Sequence, residues 1–134
     1  MLFRSIGVTT VELDEIARNI LAANGATSSF LGYHGYPSVI CASVNEEVVH
    51  GIPNKRKLQN GDVLSIDFGA IVDGWHADAA ISFGVGEIET ADQKLMQTCE
   101  ESMWVGIAAG KVGASLTDIS AAVEGHIKIG RAHV

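Results

Sequence analysis

Two aspartates lie on either side of the dipeptide Asp73-Gly74, which is the strongest hairpin signal in the chain. If Asp73 and Gly74 are the central residues of a two-residue turn, Gly69 faces Asp78 across the predicted hairpin. Side chains alternate between the two faces of a strand, so Asp67, Gly69 and Asp78 share one face. The two carboxylates are then diagonal neighbours, with backbones roughly 7–8 Å apart, and the glycine leaves the space beside them open.

Two carboxylates that converge on one sheet face repel each other and lose hydration, and a divalent cation would relieve that conflict. Two metal ions roughly 3.5–4 Å apart could be bridged by such a pair. The alternative is that both aspartates are hydrated on an exposed hairpin. The residues around Asp67 and Asp78 are apolar, as in 66–68 (IDF) and 75–80 (WHADAA), which favours burial over hydration.

Four other side chains are candidates for a site. His50 lies between the apolar pair Val48-Val49 and the turn residues 51–53 (GIP), so it is either a surface histidine or a positioned one. A positioned histidine can donate a proton, bind a metal ion or form a hydrogen bond with a substrate. Tyr33 and Tyr36 line a pocket or simply pack. Cys41, on a predicted strand, is either a pocket residue or a small buried hydrophobe.

Local signals predict the elements that position these residues. Thr9 and Glu12 form a capping box, which predicts an amphipathic helix over 10–24 with Gly25 at its C-cap. The glycine and proline content of 30–37 predicts a loop. Strands are expected over 39–44, 63–68 and 75–83, and the last two form the hairpin.

Two further helices are predicted after the hairpin. A second capping box at 90–93 (TADQ) opens a helix that ends at Gly110, with Cys99 and Met103 expected in the core. A third helix starts at 115–118 (SLTD). The order of helix, strands, hairpin and helices predicts an α+β fold, in which an antiparallel sheet is partly covered on one face by helices.

The composition favours one globular domain over a disordered chain, since 47% of the 134 residues are hydrophobic and 19% are charged. A net charge of −7 argues against nucleic-acid binding. No apolar stretch approaches the roughly 20 residues that a membrane helix needs, and the start has no signal-peptide layout. With only two cysteines, far apart in sequence, a structural disulfide is not expected and a reducing cytoplasm fits.

Five segments, in order and spacing, resemble type I methionine aminopeptidases over roughly residues 7–127. They are 32–37 (GYHGYP), 43–46 (SVNE), 49–53 (VHGIP), 60–67 (NGDVLSID) and 73–78 (DGWHAD). The resemblance implies the pita-bread fold, of which this chain would form the N-terminal half. It also implies removal of the initiator methionine from nascent proteins. One departure is Ala77, where a glycine is commoner in the family.

The resemblance assigns roles to individual positions. Asp67 and Asp78 match metal ligands, with Asp78 the bridging one, and His50 matches a histidine that contacts the substrate and stabilises the reacting peptide group. The residues that match the lining of the methionine pocket are Tyr33, Tyr36 and Cys41. The cofactor implied is a pair of divalent ions, which could be Mn, Fe, Co or Zn.

The resemblance further implies that one histidine and two glutamates beyond residue 134 complete the ligand set, so this chain alone is expected to be inactive. The partner expected is the N-terminal methionine of nascent polypeptides, and a transient association with the ribosome is also expected. Two alternatives stay open. A proline-directed peptidase of the same fold fits segments 32–37 and 49–53 poorly, and a non-catalytic module of this fold typically lacks one of the aspartates.

The last six residues, 129–134 (IGRAHV), match the translation of a sequencing adapter. We therefore expect a partial catalytic domain over residues 1–128, followed by a non-native tail.

Overall fold

The computed structural model describes residues 5–131, with side chains described as far as residue 128. The chain forms two compact units that divide between Ile88 and Glu89. The expected tail at 129–134 lies outside the described residues, apart from the backbone of 129–131, which belongs to the last helix.

Helix α1, Thr10–Ala23, opens the first unit. The predicted capping box is present, because the Thr9 hydroxyl accepts from the N–H of Glu12 and the Glu12 carboxylate accepts from the N–H of Thr9 at 2.7 Å. The helix ends one residue earlier than predicted, with Asn24 as its C-cap. Gly25 follows in the left-handed region at φ 64°, which permits the chain to turn back toward the sheet.

Four antiparallel strands follow: β1 Thr27–Ser28, β2 Ile40–Val44, β3 Val63–Val72 and β4 Trp75–Gly84. β4 pairs with β3 along its whole length, while β2 and β1 pair with successive segments of β3. A short 3₁₀ turn, Tyr33–Gly35, lies in the predicted loop between β1 and β2. The α+β fold and the antiparallel sheet are confirmed.

The β3–β4 hairpin has the predicted turn and register. Asp73 and Gly74 both have positive φ, at 50° and 81°, as a two-residue type I′ turn requires. Gly69 therefore faces Asp78, and Asp67 faces Ala80. Both pairings follow from the position of the turn alone, since each step along one strand is matched by one step along the other.

The two faces of the sheet differ in character. Alternate residues of β2 and β3 pack with α1 in the hydrophobic core, among them Ile40, Val44, Leu64 and, partly buried, Ile66. The intervening residues, which lie on the opposite face, are small or polar: Cys41, Ser43, Ser65, Asp67 and Gly69 on β2 and β3, and Asp78, Ala80 and Ser82 on β4. The sheet is thus an apolar layer on one side and a polar surface on the other.

Helices α2, Thr90–Ala109, and α3, Leu116–Arg131, form the second unit. The predicted capping box at 90–93 is wrong, because the helix begins at Thr90 itself, and its N-cap, Glu89, makes no side-chain capping bond. The third helix begins as predicted, and Ser115 and Asp118 form reciprocal hydrogen bonds at its start. No helix within residues 5–131 is long and apolar enough to cross a membrane.

The expected core positions on α2 are also wrong, since Cys99 and Met103 are exposed. The buried residues of α2 are instead Ser102 and Gly106, and a Cβ on Gly106 would lie 2.7 Å from Val123 of α3. Helix α3 packs against this small-residue strip, so the larger apolar side chains of α2 point elsewhere.

Gly69 couples the sheet to the loop that follows β1. Its carbonyl accepts from the N–H of Ser29 at 3.0 Å, and an added Cβ would lie 2.7 Å from the Phe30 ring and 2.8 Å from the Ser29 Cβ.

We therefore expect Gly69→Ala to lower the free energy of unfolding by about 1–3 kcal/mol, measured by urea denaturation. Gly125→Ala is the matched control. It lies on α3 with open space around its Cβ, and should stabilise by up to about 1 kcal/mol. Equal effects of the two substitutions would contradict this account of Gly69.

Candidate metal centre

One cavity of about 570 Å³ in the first unit is lined by every residue that the sequence marked as a candidate: Tyr33, Tyr36, Cys41, His50, Asp67 and Asp78. These residues come from three strands and two loops, and the farthest apart are separated by 45 positions in sequence. The sheet supplies the two aspartates and the cysteine, while the loops supply the tyrosines and the histidine. The fold therefore brings together side chains that the sequence alone could only list as separate candidates.

The carboxyl group of Asp67 lies in a surrounding that disfavours its charged form. It is half-buried, and its Oδ1 atom is shielded from solvent without a hydrogen-bond partner. Burial raises the pKa of Asp67 above its ordinary value, and the charge of Asp78 adds to the increase. The charge of His50 acts in the opposite direction. A carboxylate that is desolvated and faces a second carboxylate needs either a proton or a cation.

The Asp67–Asp78 pair therefore fits part of a metal site. Carboxylate oxygens are suitable ligands for hard or borderline divalent ions, and an unpartnered buried oxygen is available to coordinate one. Among residues 5–131, however, no group of three or more histidine, cysteine, aspartate or glutamate side chains is placed to hold a metal ion. The described residues thus offer one pair of carboxylates, and a stable metal site needs more ligands than this pair.

The apolar residues around Asp78 are not buried, which is contrary to the expectation from sequence. Every residue from Trp75 to Ser82 is exposed, with Trp75 at 82% and Ile81 at 65%. The reason is that β3 is the only strand paired with β4 among the described residues, so β4 forms an edge of the sheet. The apolar composition of these residues predicted burial, but composition does not show whether another segment packs against the strand.

Cys41 lies directly opposite Asp67 in the β2–β3 register and is buried. Burial raises the pKa of its thiol, so Cys41 is a neutral, weakly polar part of the cavity wall rather than a thiolate. Tyr36 has a half-buried side chain whose pKa is raised by burial, with a further contribution from Cys41. Tyr33, by contrast, is 69% exposed and makes an edge contact with His34, with ring centroids 4.4 Å apart.

Sequence reasoning missed other residues of the cavity wall, namely Phe30, His34, Gly35, Pro37 and Ile52. The Phe30 ring lies above Gly69, where the absence of a side chain leaves room for it. Ser29 also contacts the hairpin, with its Oγ 3.0 Å from Nδ1 of His76. A glycine within a strand and an aromatic residue in a nearby loop are the features that could have predicted this contact. They can be matched to each other only when the strand register is known.

Comparison with known proteins identifies the family of the chain. Residues 2–133 match the metallopeptidase family M24. Methionine aminopeptidase 1 from Mycobacterium tuberculosis is 55% identical over 119 residues, which are 88% of this chain and 45% of the relative. Methionine aminopeptidase from Borreliella burgdorferi is 48% identical, over 91% of this chain and 49% of the relative. The chain spans about half the length of the curated relatives that it matches.

Solved structures show the same fold. The crystal structure of methionine aminopeptidase from Rickettsia prowazekii superposes with a TM-score of 0.89 at 35% identity, covering 93% of this chain and 50% of that one. Xaa-Pro dipeptidase from Bacillus anthracis, at 23% identity and a TM-score of 0.80, covers 94% of this chain and 34% of that one, and shows the fold alone.

The pita-bread fold and the family match over residues 2–133 place the chain in the metallopeptidase class. The chain belongs to metallopeptidase family M24.

The raised pKa of Asp67 makes a testable contribution to stability. Because the folded-state pKa lies above the unfolded value, ionised Asp67 destabilises the metal-free fold, and the penalty disappears as the pH falls through the folded pKa toward the unfolded one. Asp67→Asn should therefore raise the Tm of the metal-free protein at pH 7, and the difference should shrink as the pH approaches about 4. Thermal unfolding at several pH values measures this.

The control is Asp73→Asn, which removes a carboxylate from the hairpin turn rather than from the cavity face. A Tm difference for Asp67→Asn that does not change with pH, or a lower Tm at pH 7, would show that the carboxylate is adequately hydrated in the fold.

Proposed function

We propose that this chain supplies the N-terminal part of a metal-dependent methionyl aminopeptidase, which removes the initiator methionine from nascent proteins. The observation that carries the proposal is the cavity that joins the paired carboxylates to His50, Tyr36 and Cys41. A hydrolytic centre, a polar group for the reacting amide and a mainly apolar pocket are the parts that such an enzyme needs.

Asp67 and Asp78 are the residues of this chain that would hold the metal. We propose two divalent ions, drawn from Mn, Fe, Co and Zn, with Asp78 as the bridging ligand. When bound, such ions supply Lewis acidity and make a water molecule acidic enough to act as a nucleophile near neutral pH. The desolvated oxygen of Asp67 supports this role, because metal coordination would satisfy it.

His50 is proposed to act on the substrate and not on the metal. Its side chain lines the same cavity as the carboxylates, and it lies within the loop between β2 and β3 and not on the sheet. From there its imidazole can donate a hydrogen bond to the scissile amide as charge develops on it, which stabilises the transition state more than the ground state.

The remaining wall suits a thioether side chain. Phe30, the Tyr36 ring and Cys41 present mostly apolar and polarisable surface to the cavity. A methionine side chain is recognised by shape and dispersion, for which such a surface is well suited. Tyr33, also proposed for this pocket, lies at the exposed rim and would contact the side chain only at its edge.

The proposal requires residues that this chain does not supply. Two carboxylates cannot hold two divalent ions against water, so one histidine and two glutamates, one of them the general base, are proposed to come from a further segment. We therefore expect residues 1–134 alone to give no appreciable turnover. The exposed face of β4 is consistent with a surface that such a segment would cover.

We extend the proposal to the cellular setting of the complete enzyme. Nascent chains present their initiator methionine as they leave the ribosome, so a transient association with the ribosome and a cytoplasmic location are proposed. Both cysteines are free, which is compatible with a reducing compartment.

The test is a chimera in which residues 5–128 replace the matching half of methionine aminopeptidase 1 from Mycobacterium tuberculosis. With Mn²⁺ or Co²⁺ it should cleave Met-Ala-Ser at about 1 s⁻¹ or faster.

In the chimera, His50→Ala should lower kcat/KM by roughly 10²–10³-fold and leave the metal content unchanged. Asp78→Asn should reduce the metal content itself.

The chain of residues 1–134 serves as the control and should be inactive. Turnover at an ordinary rate by this control would show that the site is complete without further residues. Loss of metal in His50→Ala would mean that the histidine is a ligand, and preferential cleavage of X-Pro peptides by the chimera would favour a proline-directed peptidase.

A further inference from the structure

His50 adopts a backbone conformation that it does not favour by itself. Its φ is 58°, in the left-handed region, which costs a residue with a Cβ roughly 1–2 kcal/mol. Within residues 5–131 its imidazole makes no hydrogen bond, and the preceding residues Val48 and Val49 are exposed. Such a conformation persists only where neighbouring structure imposes it, and the contacts made by the next residue, Gly51, can impose it.

Gly51 is bound tightly against strand β2. Its N–H donates to the Ser43 hydroxyl at 3.0 Å, and its carbonyl accepts from the N–H of Ala42 at 2.9 Å. A Cβ on Gly51 would lie 2.4 Å from the Ala42 carbonyl oxygen, so no other residue fits at this distance from the strand. The backbone after His50 is thus held at both of its polar groups.

Tyr36 adds a third contact from the opposite direction. Its hydroxyl lies 3.2 Å from the carbonyl oxygen of Gly51 and 3.0 Å from that of Ile40, and its single proton is shared between these two acceptors. Burial raises the pKa of Tyr36 above its ordinary value, so the hydroxyl is protonated and acts as a donor near neutral pH. The ring of the same residue lines the cavity.

We propose that Tyr36 and Ser43 are positioning residues, which act through Gly51 to hold His50 in its left-handed conformation with the imidazole at the cavity. We call the two hydroxyls and the N–H of Ala42 the Gly51 clamp. This inference rests on the proposed function, since it concerns the residue assigned to the substrate amide. It gives Tyr36 a role beyond contact with the methionine side chain, and it gives a role to Ser43, which does not line the cavity.

The Gly51 clamp would act on the orientation of the His50 imidazole. An imidazole without hydrogen bonds of its own is oriented only by its backbone and its rotamer. Releasing Gly51 from β2 would allow His50 to relax to negative φ, which would redirect its side chain away from the cavity. A displacement of about 1 Å at a catalytic group is enough to lower a rate by up to roughly a hundredfold.

The first experiment reads the backbone of His50 directly in the isotope-labelled chain of residues 1–134. A strong intraresidue NOE between its amide and Hα protons reports positive φ. Tyr36→Phe and Ser43→Ala should each weaken this NOE, and the double variant should reduce it to the intensity seen for residues with negative φ. Ser65→Ala is the matched control. Ser65 is paired with Ser43 across the sheet, but its hydroxyl forms a hydrogen bond only with the Ser82 hydroxyl in the described structure.

The second experiment measures kinetics in the chimera described above. Ser43→Ala should lower kcat by about tenfold or more with KM changed less than twofold, because the residue touches neither metal nor substrate. Tyr36→Phe should lower kcat similarly. Ser65→Ala should leave both parameters unchanged at a comparable Tm.

The outcomes separate the two proposals. An unchanged NOE in folded Tyr36→Phe and Ser43→Ala variants, or an unchanged kcat in an active chimera, would overturn the clamp. An inactive wild-type chimera would overturn the proposed function, while the NOE in the chain itself would still decide whether the clamp holds His50.

Discussion

The repulsion between Asp67 and Asp78 is the interaction on which the rest of the site depends. Strand geometry places both carboxylates on one face of the sheet and leaves no side chain between them at Gly69. The cost appears as a raised pKa and an unpartnered oxygen at Asp67. A bound cation would offset this repulsion, which is the basis of the metal site proposed for this pair.

The two-sided character of the sheet makes this pair possible. Leu64, Ile66 and their neighbours pack with α1, and this apolar layer stabilises the sheet whether or not the polar face is satisfied. The polar face can therefore carry charges that would be intolerable in the core. The same arrangement leaves β4 as an edge strand with Trp75 and Ile81 exposed, which is a recognised risk for association with another chain.

Much of this could be predicted from sequence, where the determining interactions are local. The Asp73-Gly74 turn sets the hairpin register, and with it the shared face of Asp67 and Asp78, because one turn type fixes every pairing that follows. The burial of side chains could not be predicted in the same way. An apolar pattern on α2 or β4 indicates a face suited to packing, but it does not show which segment, if any, packs against that face. Gly51 was equally hidden, since its contacts with Tyr36 and Ser43 join segments that only the fold brings together.

The most direct test of the central claim is paramagnetic broadening of the backbone amide signals of the labelled chain by Mn²⁺, which detects even weak binding. The account predicts selective loss of signals from residues 66–69 and 77–80 at low Mn²⁺, abolished by Asp67→Asn or Asp78→Asn and retained in Asp73→Asn. Broadening centred on other acidic residues, or the same broadening in all three variants, would contradict the assignment of this carboxylate pair as the metal-binding element.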